Sequence, residues 1–365
     1  MNPVWQTFLQ QQGALVQSNI VQHFGDLPLG NLSDELATTQ TQTVLCDLSQ
    51  FGTLKVSGAD AQSFLQNLLS SDVSAVNVQH AQLSSLNSPK GRMIASFLIW
   101  QNGADYYLQL PANLCAAIQK KLSMYILRAK VKIEDASAQI VSLGMAGEHA
   151  AILLQQHFGD LPPSDFGAQQ LDHGHIIRLG AQSFQINIAA TRAIELWQKL
   201  SAKSQSVSAQ TVGSPYWDWL QIRAGIPVIL PATQEQFVAQ MVNLELIGGV
   251  SFKKGCYPGQ EIVARMQYLG KLKRRMYLAH IKITDHPTPQ AGDELFSSEM
   301  EEQSCGMIVN AAAAPGGGYD VLAVVQISSQ ESQTIHWQSL QGATLQFMPL
   351  PYLLPKSVDS NKGNT

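Results

Sequence analysis

Residues 253–261, with the sequence KKGCYPGQE, predict a short rigid loop that leads into a helix. Two glycines and a proline close together favour a tight turn, and the following EIVARM has a helical pattern. Cys256 is therefore predicted just before a helix N-terminus, beside Lys253 and Lys254. Positive charge and the helix dipole favour thiolate over thiol. An exposed thiolate is a nucleophile, a redox sensor or a metal ligand, whereas most lone cysteines fill buried gaps. The residues alone leave both interpretations open.

Basic residues are concentrated around this loop. Residues 253–275 contain seven Lys or Arg and a single acid, Glu261, although the whole chain has a formal net charge of −4. The remaining sequence is therefore acidic. Such a segment favours an anionic partner, either a phosphate backbone or the carboxylates of a ligand. The plain alternative is a solvated helix face and linker.

The sequence after Lys273 predicts only short strands separated by turn residues. These are MYLAHIKI, DELF, SCGMIVN, YDVLAVVQI, TIHW and ATLQFM. The pattern is typical of a small β-barrel or sandwich, which we assign to residues 269–355. Residues 356–365 are predicted to be a disordered tail.

Strands and helices alternate in the sequence before the loop. A mixed unit is predicted over residues 43–140 and a second over 141–268, after an N-terminal extension, 1–42, that has one helix near 3–12 and is otherwise irregular. Short hairpin-like turns favour an α+β fold over a doubly wound parallel sheet. The polar residues 201–213 are predicted to form a linker or exposed loop.

Three local patterns make sharper predictions. TVLCDL and TLKVS predict two strands around a turn at residues 50–52. Pro111 is predicted to open a helix that runs to about Met124. SPYWDWLQIRAG predicts a helix with Ser214 as its N-cap, ended by Gly225.

Composition excludes several classes of protein. The chain has 365 residues, 45% hydrophobic and 14% charged, which argues against disorder, and its net charge argues against a histone-like nucleic-acid binder. The N-terminus has no signal-peptide pattern, and the longest apolar run, Met93 to Trp100, is far shorter than the ~20 residues that span a bilayer. We therefore expect a cytoplasmic protein without a membrane or DNA partner. The four cysteines form no CxxC pair, and an HxH at residues 173–175 favours a hairpin, so no metal site is predicted.

The KGCYPGQE motif resembles the signature of the YgfZ proteins, folate-binding relatives of the aminomethyltransferase (T-protein) of glycine cleavage. Residues 45–73, NSPKGRM (87–93) and WLQIRAGIPVI (219–229) resemble further blocks of this family. The resemblance covers roughly residues 40–350. It implies an α+β fold with three domains around a central opening, namely two mixed α/β folate-binding subdomains and a C-terminal small β-barrel.

The resemblance also implies site residues. Cys256 is implied as the functional thiol, with signature neighbours at Lys254, Tyr257, Gln260 and Glu261.

A second set of implied residues concerns the folate. Trp217 and Phe51 correspond to aromatic residues that hold folate in the family. Arg223 stands where the T-protein has a pterin-binding glutamate, and a guanidinium cannot accept the N–H bonds of a pterin.

We therefore expect a tetrahydrofolate-binding accessory protein of iron–sulfur cluster assembly or repair that contributes, through it, to tRNA modification. Its partners would be folate, iron–sulfur proteins or assembly factors, and tRNA or tRNA-modifying enzymes. One alternative is a folate-dependent aminomethyl transferase, against which Arg223 and Cys256 count. Formation of methylenetetrahydrofolate from an aminomethylated lipoyl carrier would identify that enzyme. The other alternative is a regulatory protein that binds tRNA through residues 253–275.

Overall fold

The strands of the protein form four sheets in the part of the chain described by the computed structural model, which is residues 1–25, 42–202, 208–268, 270, 272–283, 287–300, 303–332 and 334–355. The strands are β1 (Ala14–Gln17), β2 (Ile20–Phe24), β3 (Thr43–Asp47), β4 (Phe51–Ser57), β5 (Gln82–Asn87), β6 (Met93–Asn102), β7 (Asp105–Pro111), β8 (Lys132–Asp135), β9 (Ile140–Ala146), β10 (Ala168–Leu171), β11 (Gly174–Gly180), β12 (Ser183–Ala189), β13 (Ala209–Val212), β14 (Arg274–Ile281), β15 (Glu294–Ser297), β16 (Ser304–Ala313), β17 (Tyr319–Gln326), β18 (Ile335–Trp337) and β19 (Leu345–Met348).

Helices of six to twelve residues connect these strands. They are α1 (Pro3–Gln11), α2 (Ala61–Gln66), α3 (Cys115–Ser123), α4 (Ala150–Phe158), α5 (Ala190–Ser201), α6 (Ser214–Arg223), α7 (Gln260–Tyr268) and α8 (Ile327–Ser332).

The N-terminal region is more regular than predicted. Helix α1 confirms the helix expected near residues 3–12, but a β-hairpin, β1–β2, follows it where we expected irregular chain. The turn residues Ser18 and Asn19 both have positive φ, as a tight two-residue hairpin turn requires. The FGDLPLG motif lies largely outside the described residues.

A six-stranded sheet with the order β10-β11-β12-β9-β3-β13 packs against α1, α4 and α5. The edge strand of this sheet, β13, lies within residues 201–213, where we predicted a linker or exposed loop, so that prediction is wrong for residues 209–212. This strand pairs in parallel with β3, and Ala209 and Val212 are buried, so packing outweighs the polar composition of this short segment. Residues 203–207 of the predicted linker lie outside the described part.

A five-stranded antiparallel sheet has the order β5-β6-β7-β4-β8. Strands β3 and β4 do not pair with each other but enter different sheets, and β4 begins at Phe51, inside the predicted turn. Strand β5, QLSSLN, was not predicted, because its polar residues are buried together rather than alternating with apolar ones. Pro111 ends β7 and directly precedes a short 3-10 helix, Ala112–Leu114, which leads into α3. The helix predicted from Pro111 to about Met124 is therefore confirmed, with its first turn in 3-10 form.

The C-terminal strands form a curled six-stranded half-barrel with the order β18-β15-β16-β17-β14-β19. A bridge between His336 and Thr344 draws the two ends of the order together. The six strands expected after Lys273 are therefore confirmed. The predicted tail at residues 356–365 lies outside the described part.

Helix α6 lies at the centre of the molecule. It is apolar on several sides, which is typical of a helix buried on all faces, and it contacts the hairpin, β3 and the half-barrel. Its N-cap is Gly213, one residue before the predicted Ser214. The Trp217 ring packs on Gly144 of β9. A Cβ at Gly144 would lie 2.5 Å from Trp217 Cε3, so only glycine permits this approach.

Successive side chains of β3 point to opposite faces of the sheet, so this strand contributes to two hydrophobic cores. Val44 and Cys46 belong to the core around α6, and Leu45 belongs to the core under α1. The mixed α/β fold is thus confirmed, whereas the division at residues 140 and 268 stays a prediction. In the described part of the chain, no helix is long and apolar enough to cross a membrane.

Candidate functional site

A cavity of about 600 Å³ lies where the hairpin, the five-stranded sheet, α6 and the half-barrel meet. The tip of the hairpin covers one side of it, Phe51 and the end of β7 form another, and α6 supplies a third. Polar and apolar side chains both line it, as in sites for small organic molecules. Of the described residues between 253 and 275, none lines this cavity.

The acidic group that α6 presents to the cavity is Asp218. Burial raises the pKa of its carboxyl to about 6, and the hydrogen bond from Gln50 only partly offsets this. Gln50 Nε2 donates to Asp218 Oδ1 at 3.2 Å, and Gln50 Oε1 has no partner among the described atoms. Asp218 and Gln50 therefore form an acceptor pair that suits a ligand with adjacent N–H donors.

Phe51 is the one predicted folate residue that lies at this cavity. It begins β4 and lines the cavity with a half-buried ring. Ser18 and Asn19 of the hairpin turn also line the cavity, so the N-terminal region contributes directly to it. These residues fit a flat heteroaromatic group, because a ring can rest against Phe51 while its polar edge meets Asp218.

Trp217 lies in the core rather than at the cavity. Its side chain is 2% exposed, it packs on Gly144, and its indole nitrogen has no hydrogen-bond partner among the described atoms. The neighbouring Trp219 is also buried and donates to Asp320 at 2.9 Å. This placement does not meet the expectation that Trp217 offers a ligand a free ring face. The residue packs α6 against β9 instead.

Arg223 ends α6 and points to the half-barrel, away from the described cavity lining. Its Nη1 lies 3.6 Å from Asp320 Oδ2 and 3.2 Å from Met348 Sδ. His280 Nδ1 approaches the other oxygen of Asp320 at 2.9 Å. The guanidinium thus has a carboxylate partner of its own. The sequence position implied for pterin recognition does not reach the cavity in this structure.

The predicted loop before α7 is confirmed, and it exposes its cysteine. Cys256 is exposed, whereas Cys46, Cys115 and Cys305 are buried, as expected from their apolar neighbours. Burial raises the pKa of the Cys115 thiol to about 12, and it also raises that of Cys305. Cys256 is therefore the accessible thiol of the chain. Its loop does not line the cavity, so the thiol and the cavity are two separate features.

Lys254 connects the loop to the turns that follow α2 through hydrogen bonds of its ammonium group. Its Nζ donates to three backbone carbonyl oxygens, those of Gln66 at 2.5 Å, Leu69 at 2.6 Å and Ser71 at 2.9 Å. Burial lowers the pKa of Lys254 to about 8, and the charge of Asp72 partly offsets this. Because all three ammonium donors are used, Lys254 positions the loop, and its charge is directed away from solvent.

The remaining signature residues divide between the core and the surface. Tyr257 is buried under the Lys254 ammonium, which lies 5.2 Å from the ring centroid, and burial raises its pKa to about 12. Gln260 opens α7 with its backbone N–H on the Tyr257 carbonyl oxygen, and Glu261 is exposed. Tyr257 thus anchors the loop, while Glu261, like Cys256, is exposed.

The structure brings two separate sequence blocks together beside this loop. Gly259 has a φ of +78°, and its α-carbon lies so close to the 88–91 turn that a Cβ would be 2.6 Å from Gly91 N. Gly91 in turn approaches Ile262 of α7. The NSPKGRM and KGCYPGQE motifs therefore form one packed unit. No group of three or more potential metal ligands occurs among the described residues.

Comparison with known proteins places this architecture in a class. The family model described as "GCVT N-terminal domain" matches residues 22–254. A crystal structure of the glycine cleavage system aminomethyltransferase T from Bartonella henselae superposes with a TM-score of 0.75 at 18% identity. The match covers 96% of this chain and 97% of that one. The fold is therefore that of the aminomethyltransferases.

Curated relatives define the family more closely. The "tRNA-modifying protein YgfZ" of Escherichia coli O127:H6 is 30% identical over 87% of this chain and 96% of its own. The protein of the same name from Colwellia psychrerythraea is 29% identical over 82% of this chain and 93% of its own. The chain belongs to the YgfZ family.

Asp218, Gln50 and the hairpin tip are the residues that sequence reasoning missed. Asp218 is an acid between two tryptophans in a helix without a polar face, which is the signal of a buried functional carboxyl. Ser18 and Asn19 separate two alternating segments, ALVQ and IVQHF, which is a hairpin signal. Gln50 carries no signal of its own, because only the tertiary fold brings it to Asp218.

Proposed function

We propose that this protein is a cytoplasmic tetrahydrofolate-binding accessory protein that serves iron–sulfur cluster assembly or repair and, through it, tRNA modification. The observation that carries the folate part is the cavity. It combines the aromatic wall of Phe51 with the acceptor pair of Asp218 and Gln50. A pterin has one edge of N–H donors and two flat faces, and both features have a counterpart here.

The accessible thiol supports the second part of the proposal. Lys254 and Tyr257 hold the loop in place, so Cys256 is presented to solvent at a fixed point. Such a thiol suits exchange with a partner protein rather than chemistry inside a closed pocket. The relatives named tRNA-modifying proteins are consistent with iron–sulfur enzymes of tRNA modification as the clients. Folate would then act at the cavity and clients at the loop.

Asp218→Asn is expected to weaken tetrahydrofolate binding by at least tenfold at pH 7.5, because an amide offers one acceptor in place of two. In the wild type the affinity for tetrahydrofolate should decrease when the pH is lowered below about 6, because the carboxylate that accepts the N–H bonds becomes protonated. Isothermal titration calorimetry across this pH range provides the test. Wild-type affinity in the variant, with the same pH profile, would remove Asp218 from the site.

The same substitution should stabilise the free protein. A carboxyl pKa raised to about 6 in the folded state means that the wild type loses stability as pH rises from about 4 to 6. The neutral amide avoids that loss, so Asp218→Asn should gain about 2 kcal/mol at pH 7 and nothing below about pH 4. Urea unfolding at the two pH values measures the difference. Greater stability with weaker ligand binding is the pattern of a functional carboxyl.

Phe51→Ala is expected to weaken folate binding by about 1–3 kcal/mol, the range for loss of a stacked aromatic contact. The matched control is Phe252→Ala, which removes another half-buried ring, one that packs on Tyr268 away from the cavity. Calorimetry with both variants checks the site. Equal affinities for the two variants would place folate elsewhere.

A further inference from the structure

A second cavity, of about 470 Å³, lies between the start of β6 and the half-barrel, and it shares no described lining residue with the first. Three cationic side chains line it: Arg92, Lys273 and Arg274. They come from two distant parts of the sequence, the NSPKGRM block and the end of the basic segment. The fold therefore brings Arg92 close to Lys273 and Arg274, whereas the sequence alone shows only the basic segment that contains the last two.

No acidic residue lines this cavity among the described residues. None of the three cations lies within ion-pair distance of a described carboxylate, whereas the next residue, Arg275, is buried and bonded to Glu245 at 2.8 Å. Arg92 and Arg274 contact backbone carbonyl oxygens, which fix their side chains without neutralising them. The cavity thus has a net positive charge of three and a strong preference for an anion.

The rest of the lining is apolar or amide-bearing. Met241 and Met307 are half-buried and present adaptable thioether surfaces, and Gln236 and Gln326 add amide groups. A site for a bare anion would need only the cations. A charged rim over an apolar floor with amides matches a nucleotide, whose phosphate, flat base and polar base edge each find a counterpart.

We propose that this cavity binds a nucleotide unit of an unpaired RNA strand, with its phosphodiester on Arg92, Lys273 and Arg274. The choice of RNA rests on the proposed function in tRNA modification, whereas the phosphate chemistry rests on the cavity alone. The glutamate tail of a folate is the competing anion. It is disfavoured because the basic residues line a cavity separate from the one that holds Phe51 and Asp218.

The test compares the wild type with Arg92→Gln/Lys273→Gln/Arg274→Gln. A control variant, Lys120→Gln/Arg128→Gln/Lys130→Gln, removes the same charge from exposed positions elsewhere. Fluorescence anisotropy with a labelled tRNA transcript, a short unstructured RNA and the corresponding DNA strand is measured over a range of KCl concentrations. Calorimetry with mono- and polyglutamylated tetrahydrofolate runs in parallel.

We expect the cavity variant to bind RNA at least tenfold more weakly at low salt. Its slope of log K against log salt should become shallower by about 0.7, the value for one neutralised phosphate of a single strand, because the three cations contact one phosphodiester. The control should retain both values. Lys273→Gln/Arg274→Gln, which leaves Arg92 in place, should show a smaller loss of affinity and of slope, and it provides a second variant if the triple variant does not fold. Affinity for monoglutamylated folate should not change, so a failure of folate binding is seen separately.

Four results would overturn the inference. Wild-type affinity and salt slope in the cavity variant would show that the three cations are only solvated. An equal loss in the control variant would show that RNA responds to overall charge. A loss confined to polyglutamylated folate would assign the cavity to the folate tail instead, and equal binding of the DNA strand would contradict the choice of RNA.

Discussion

Cys256→Ser is expected to abolish complementation of a bacterial strain that lacks its own YgfZ protein, while the fold stays intact. The side chain is exposed, so its replacement should change the free energy of unfolding by no more than about 0.5 kcal/mol. Serine keeps the size of the side chain but removes the nucleophilic sulfur. The readouts are the activity of iron–sulfur enzymes and the content of modified nucleosides in tRNA.

Cys305→Ala provides the opposite control. This cysteine is fully buried in the half-barrel, so its truncation should cost about 1–2 kcal/mol of stability and spare function. Iodoacetamide should label Cys256 before the three buried cysteines in the folded wild type. Full complementation by Cys256→Ser would show that the thiol is dispensable. The signature would then act through Lys254 and the loop backbone.

Local pattern predicted most of the elements, because their residues alternate or recur at helical spacing. The half-barrel strands and α7 are of this kind. The errors occur where tertiary contacts outweigh local composition. Strand β5 buries polar side chains, which hydrogen-bond to Ser70 and Ser71 in the segment after α2. Strand β13 is a polar segment that completes a sheet edge beside β3.

The site was harder to predict than the fold, because its parts are distant in sequence. The motif led to Cys256 directly, and Phe51 does lie at a cavity. Trp217 and Arg223 were implied by correspondence with positions in the family, but such a correspondence does not reveal which side of a central helix faces a cavity. Rotation along α6 places Asp218 at the cavity, Trp217 in the core and Arg223 beside Asp320.

The loop that carries Cys256, residues 253–259, is held by tertiary contacts that its glycines and proline do not predict. Lys254 holds its beginning through three carbonyl oxygens, and Gly259 holds its end by close approach to Gly91. Cys256 lies between these two attachments. A defect at either attachment should therefore displace the thiol even though neither residue contacts it.

Gly259→Ala should be strongly destabilising for this reason. The φ of +78° costs an alanine about 1–2 kcal/mol, and its Cβ would overlap the Ser88 carbonyl oxygen and the Gly91 backbone, which adds about 1–3 kcal/mol. The obstructing atoms are backbone, so no rotamer change relieves the contact. We expect a loss of about 2–5 kcal/mol in urea unfolding, as a lower midpoint with an unchanged slope.

Gly255→Ala is the matched control within the same loop. Its φ is not positive, and a Cβ there would meet nothing within 4 Å, so its stability should stay within about 0.5 kcal/mol of the wild type. Equal midpoints for the two variants would contradict the packing of the loop on residues 88–91. Because the 88–91 turn and α7 are joined at this contact, Gly259→Ala should also slow complementation, whereas Gly255→Ala should not. The pair of variants thus tests whether a fixed loop, and not merely the presence of a thiol, is what the signature provides.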